Sequence, residues 1–77
     1  MDKRTRELIE QFQAVDDTGA VHTIRVFADV HHITMLDGSQ QRVEGMKSYA
    51  LANGNHVNLE DDGTLVNVHT GRRMRRR

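Results

Sequence analysis

The 77-residue chain has no cysteine, no proline and no tryptophan, and only two phenylalanines and one tyrosine. Without cysteine, neither disulfides nor thiolate zinc sites can staple a core that a chain this short builds only marginally. No proline marks a linker, and the scarce aromatics leave few platforms for stacking bases. No apolar run approaches the roughly 20 residues of a membrane helix, and Met1 leads into a charged stretch, not a signal-peptide core. The chain is therefore expected to be soluble and cytoplasmic, with no membrane partner. Charge of either sign is missing only in the net, since eleven Lys and Arg balance eleven Asp and Glu. The distribution is uneven: the last six residues, RRMRRR, hold five of the cations, leaving six against all eleven carboxylates in residues 1–71. An acidic body with a basic tail follows.

What is present is turn chemistry separating short alternating segments. Asp62-Gly63 reads as a two-residue hairpin turn, which would place Leu59 opposite Val66 and Val57 opposite Val68, all four on one face, with His56 opposite His69 on the other. One more residue in that loop would set Val57 against Asn67 and Leu59 against Leu65, and the apolar residues would no longer sort. Asp16-Asp17-Thr18-Gly19 suits a three-residue loop closed by Gly19, pairing Phe12 with Ile24, Glu10 with Val26, Val15 with Val21, Ile9 with Phe27 and Leu8 with Ala28. Leu8, Ile9, Phe12 and Val15 also fit one face of a helix capped by Thr5, so that reading stays open.

The second strand alternates on Ile24, Val26, Ala28 and Val30, then on Ile33 and Met35; the change of phase at His31-His32 suggests a β-bulge. Asp37-Gly38 offers another two-residue turn, setting Ile24 against Leu51, Val26 against Tyr49 and Val30 against Gly45, which leaves space for a bend or for a large neighbour. At Asn53-Gly54 a tight hairpin would break the face assignment, so residues 52–55 are expected to be a longer corner leading to a second layer. The expected fold is all-β, with about five antiparallel strands (8–16, 20–35, 41–52, 55–61 and 64–70) in a small curled sheet or a partly open barrel of the SH3/OB type. Residues 1–71 are expected to form one domain, with the polar stretch 1–7 frayed at its start, and 72–77 a disordered basic tail.

The run Tyr49-x-Leu51-x-x-Gly54-x-x-Val57-Asn58, followed by Asp62-Gly63-Thr64, Thr70-Gly71 and Arg72-Arg73, resembles the C-terminal part of a set of short, uncharacterised bacterial proteins. Those end in a V-N, D-G-T-F, T-G-x-x-x-R pattern, and Leu65 stands where that pattern has an aromatic. The resemblance covers about 25 of the residues. It implies a bacterial origin and a small β fold, and carries over no activity and no functional residues.

Three constellations are candidates for function. His56 and His69, if opposed, are spaced to chelate a transition metal, with a third ligand from His22, His31, His32 or a carboxylate; the alternative is two half-exposed strand histidines, and no cofactor is expected. Arg72, Arg73, Arg75, Arg76 and Arg77 can neutralise phosphates, with Phe27 as the one free stacking platform; the alternative is a tail that stays solvated or folds back onto the acidic body. Ile9, Val21, Phe27 and Leu65 remain apolar after the core is assigned and form a candidate interface; the alternative is that the curled sheet covers them within the monomer. Asp16, Asp17, Asp61 and Asp62 are accounted for as turn residues, and Ser39 and Ser48 stand in no nucleophile motif, so an enzyme is not expected. The expected function is a small non-enzymatic binding module acting on a protein partner or a second copy, with nucleic acid and metal binding as alternatives.

Overall fold

The computed structural model describes residues 3–77, in which every regular element is a strand: β1 (Lys3–Asp16), β2 (Val21–Thr34), β3 (Gln40–Leu51), β4 (His56–Leu59), β5 (Leu65–Asn67) and β6 (Arg73–Arg76). Each strand pairs antiparallel with the next, and β6 returns to β1, closing a six-stranded barrel. The helix over Leu8, Ile9, Phe12 and Val15 does not form. The fraying expected at residues 1 and 2 lies outside the described residues; from Lys3 onward it is replaced by pairing that begins with Lys3 opposite His32. Among the described residues no helix is long and apolar enough to cross a membrane.

Turn geometry sets the register. Among the described residues only glycines have positive φ, Gly38 and Gly63 among them. A two-residue type I′ turn would require the same of Asp37 and Asp62, so each loop instead takes a third residue and leaves the left-handed position to glycine. At the Asp62-Gly63 turn the Glu60 N–H donates to the Thr64 carbonyl (2.8 Å) and the Gly63 N–H to the Glu60 carbonyl (3.0 Å); Met35, Gly38 and Ser39 repeat the arrangement. The side chain before the glycine then caps the loop. Asp37, Asn53 and Asp62 each accept the N–H two residues on, at 2.9 Å.

The longer loop corrects the expected face of the last hairpin. Val57 is opposite Asn67, Leu59 opposite Leu65, and Asn58 opposite Val66. The set Val57, Leu59, Val66 and Val68 is therefore divided, and Leu65 turns inward, because a one-residue slip exchanges the two faces of a strand. The expected corner at residues 52–55 is also corrected. Leu51 N–H donates to Asn55 O (2.8 Å), an ordinary hairpin turn, and the chain continues as a meander because the sheet curls until β6 meets β1.

The first hairpin pairs as expected from Val15 and Val21 to Glu10 and Val26. Beyond that, Ile9 is an extra residue, so Leu8 faces Phe27 and Glu7 faces Ala28. Between β2 and β3, Ile24 faces Leu51 and Val26 faces Tyr49 as expected, but Val30 faces Glu44, not Gly45. The second irregularity lies between Ala28 and Val30, where Gly45 and Met46 stand against Asp29. No bulge occurs at His31-His32. The extra residues sit in the strands on either side of β2, while β2 itself alternates without interruption.

Six residues, one from each strand, fill the barrel: Ala14, Ile24, Leu51, Val57, Leu65 and Met74, with Phe12 and Tyr49 packed against them. A barrel this small is closed by side chains and leaves no lumen. Met74 overturns the disordered tail. Its strand pairs Ala14 with Arg76 and Asp16 with Met74 on one side, and Leu65 with Met74 on the other. Arginines alternating with a buried methionine give a two-residue period that one sheet position satisfies.

Candidate docking arm

The three long strands outrun the barrel. β3 pairs with β4 only at Tyr49 and Ala50, and β1 pairs with β6 only at Ala14, Val15 and Asp16. Residues 3–11, 27–34 and 40–48 therefore project as a three-stranded arm, and the molecule measures 54 × 19 × 18 Å. Among the described residues, 3–11 of β1 and 40–48 of β3 each have one edge without a partner strand, the situation in which backbone N–H and C=O groups are free to accept another chain.

Register fixes the two faces of the arm. The inner face carries Ala28 and Val30, both buried, although neither belongs to the barrel core. Long polar side chains from both flanking strands roof them. Arg42 on β3 reaches Glu44 (3.0 Å) and crosses β2 to Glu7 on β1 (3.4 Å), while His32 lies 3.9 Å from Glu7 and 3.3 Å from the Thr5 hydroxyl. Hydrogen bonding to Glu44 raises the already high pKa of the Arg42 guanidinium. The outer face sets Leu8 beside Phe27 and Val43 beside His31. Arg6 stacks its guanidinium 4.3 Å from the Phe27 ring centroid, and Arg4 pairs with Asp29 at 2.8 Å, a bond that holds the Asp29 carboxyl below the usual range.

Exposed apolar residues concentrate on this arm. Of the eight large exposed hydrophobics among the described residues, five lie on it or at its tip: Leu8, Met35, Leu36, Val43 and Met46, the last with 83% of its surface open. The expected interface set is divided accordingly. Phe27 and Ile9 belong to the arm, both half-buried; Val21 lies opposite Val15 beside the barrel; and Leu65, 1% exposed, is core and leaves the set.

The other expected sites are placed as follows. His56 no longer opposes His69: the Val68 N–H donates to the His56 carbonyl (3.1 Å), so His69 falls one step further on, in the turn before Gly71. The same one-residue shift that moved Leu65 inward removes the chelating pair. Among the described residues, no group of three or more His, Asp or Glu side chains is placed to hold a metal ion. The arginines are distributed over carboxylates, with Arg72 at 3.4 Å from Asp16 and 3.6 Å from Asp17, Arg73 at 3.1 Å from Glu60, and Arg76 at 2.7 Å from Glu10. Arg76 also covers the Phe12 ring at 4.2 Å, and Arg77 donates to the Gln13 side chain at 3.4 Å.

A second polar cluster lies at the other end of the molecule, at the turn joining β1 to β2. Asp16 is buried there. One carboxylate oxygen accepts the Thr18 hydroxyl (2.6 Å), Thr18 N–H (2.8 Å) and Ala20 N–H (3.1 Å); the other accepts His22 Nε2 (2.7 Å) and Arg72 (3.4 Å). The Thr18 hydroxyl, followed by His22, holds the carboxyl far below the ordinary range. An open depression of about 420 Å³ adjoins it, lined by Val15, Thr64, Arg73, Met74 and Arg75 among others. With both carboxylate oxygens engaged, Asp16 forms a clasp between the first turn and the loop before β6.

No protein-family model, no curated protein and no solved structure matches this chain.

The sequence reading missed the edge of the arm itself. Its signal was the inequality of the strands: three of 12 to 14 residues followed by three of 3 or 4 cannot all be paired along their lengths.

Proposed function

We propose that the chain is a non-enzymatic binding module that docks another polypeptide, a second copy or a different protein, along its three-stranded arm. The observation that carries this is the unpartnered edge over residues 40–48 of β3, fully or partly exposed throughout. Extended partners bind such edges through main-chain hydrogen bonds, and neighbouring side chains supply selectivity. Leu8, Phe27 and Val43 on the outer face add apolar area next to that edge. Nucleic-acid binding through the arginines is the weaker reading, because Arg72, Arg73 and Arg76 already pair with carboxylates whose charge a phosphate would have to displace.

The test is solution mass as a function of concentration, by light scattering or sedimentation, together with the Phe27→Glu variant. Arg6 stands over that ring and would pair with the new carboxylate, so the fold survives while the outer face turns polar. Docking predicts a weaker complex for the variant. A variant that binds as tightly as the parent would count against the outer face. For nucleic acid, deleting residues 72–77 would unfold the barrel, so Arg75→Ala and Arg77→Ala are the informative changes.

A further inference from the structure

Building on the docking reading, we infer that the partner of the β3 edge is a second copy of this chain, joined β3 to β3 about a twofold axis at Val43.

Backbone direction along β3 follows from the turn. Met35 and Ser39 are bonded to each other, and hydrogen-bonded and non-bonded pairs alternate along an antiparallel ladder. Gln41 and Val43 therefore bond β2, whereas Gln40, Arg42 and Glu44 turn their N–H and C=O outward. An antiparallel copy must match outward residues with outward residues. Four registers about residues 41 to 44 are available, and the one centred on Gln41 sets uncharged Gln40 against Arg42 and pairs no opposite charges. Centred on Arg42, it sets arginine against arginine; centred on Glu44, it sets carboxylate against carboxylate. Centred on Val43, it places Arg42 opposite Glu44 of the other copy, twice by symmetry, and stacks the two Val43 side chains on the outer face, where Val43 is 40% exposed. Opposite charges directly across a ladder stabilise it and like charges oppose it, so the register about Val43 is the one selected.

The β1 edge does not offer the same match. By the same alternation its outward row beyond the Ile9 bulge is Arg4, Arg6 and Leu8, which against itself sets arginine on arginine, arginine on leucine or, only where the bulge interrupts the ladder, leucine on leucine, and never pairs opposite charges. The ladder at β3 is also bounded. The bulge at Gly45 and Met46 ends it on one side and the turn at Gly38 ends it on the other, so the contact closes as a dimer with the barrels at opposite ends and does not propagate as a fibre. The product is one sheet of six arm strands, β1-β2-β3 of each copy.

A chain without native cysteine makes the test direct. Val43→Cys brings two thiols together at a non-hydrogen-bonded pair, about 4.5 Å between α-carbons, within the reach of a disulfide. Gln41→Cys, set opposite Gly45, leaves its thiols too far apart. Mild oxidation should cross-link the first variant rapidly and the second slowly. Arg42→Glu and Glu44→Arg should each weaken self-association about tenfold or more, because the twofold axis repeats every mismatch. An equimolar mixture of those two variants should recover it, since each then faces the opposite charge. If the parent chain associates but Val43→Cys links no faster than Gln41→Cys, or the mixture stays apart, this register is overturned while docking at the arm stands. If the parent remains monomeric into the millimolar range, the second copy is overturned as the partner. The docking reading is then decided separately by whether a captured partner is lost with Phe27→Glu.

Discussion

The barrel and the arm share the three long strands β1, β2 and β3, yet they solve the problem of a sheet edge in opposite ways. In the barrel each strand has two neighbours and contributes one residue to a shared core, so no backbone edge remains. In the arm the core shrinks to Ala28 and Val30 beneath a lattice of ion pairs, and two edges stay open. The difference lies in chain length. β4, β5 and β6 together supply enough residues to close the sheet over one end only. The barrel encloses its apolar residues, whereas the arm leaves apolar side chains and backbone edges exposed.

The largest effects should come from breaking the barrel. Ile24→Ala, Leu65→Ala or Met74→Ala each leave a cavity in a layer with one residue per strand, and should cost about 2–5 kcal/mol in a urea titration, with all probes lost together. Deleting residues 72–77 removes Met74 and both ladders of β6, and should abolish the cooperative transition outright. Next in size is the acid response. The native pKa of Asp16 is depressed, so its contribution is complete above the ordinary carboxylate range. It declines once pH falls below about 4, where the unfolded carboxyl takes a proton, and goes on declining toward the native value. Asp16→Asn should lower stability at neutral pH and flatten that acid limb, as read from urea midpoints between pH 2 and 7. Smaller still, Val30→Ala should cost about 1 kcal/mol, and arm amides should lose protection before barrel amides do. Smallest is salt: raising ionic strength should loosen the roof of Glu7, Arg42 and Glu44 and hasten exchange in the arm, leaving the Ile24 and Leu65 amides unchanged.

Much of this comparison could be read before any coordinates. The all-β class, the turn at Gly19 and the pairing of Phe12 with Ile24 follow from turn residues and period-two alternation. The pairing of Ile24 with Leu51 was reached through two compensating errors: the loop at Gly38 is one residue longer than its Asp-Gly pair suggests, and the extra residue at Gly45 and Met46 restores the count. No such compensation exists at Asp62-Gly63. There the preference for sorting Val57, Leu59, Val66 and Val68 onto one face pointed the wrong way, because Asn67 can be buried when its side chain accepts the His69 N–H (2.9 Å) and its own N–H is bonded to Arg72. A satisfied polar side chain inside the barrel let the strand turn over, and the histidine pair was lost with it. The tail was misjudged because five arginines mask a single methionine. The carboxylates of Glu10, Glu60 and Asp16, distant in sequence, pair with Arg76, Arg73 and Arg72 and help that strand to lie down.

Residue-resolved amide hydrogen exchange, measured at dilute and at high protein concentration, tests the division between closed barrel and open arm most directly. The account predicts slow exchange at Ile24, Leu51 and Leu65 at both concentrations, and fast exchange at Arg42 and Glu44 that becomes slow only when the protein is concentrated. Protection of Arg42 and Glu44 in the dilute monomer equal to that of the barrel, or exchange there that ignores concentration, would contradict it.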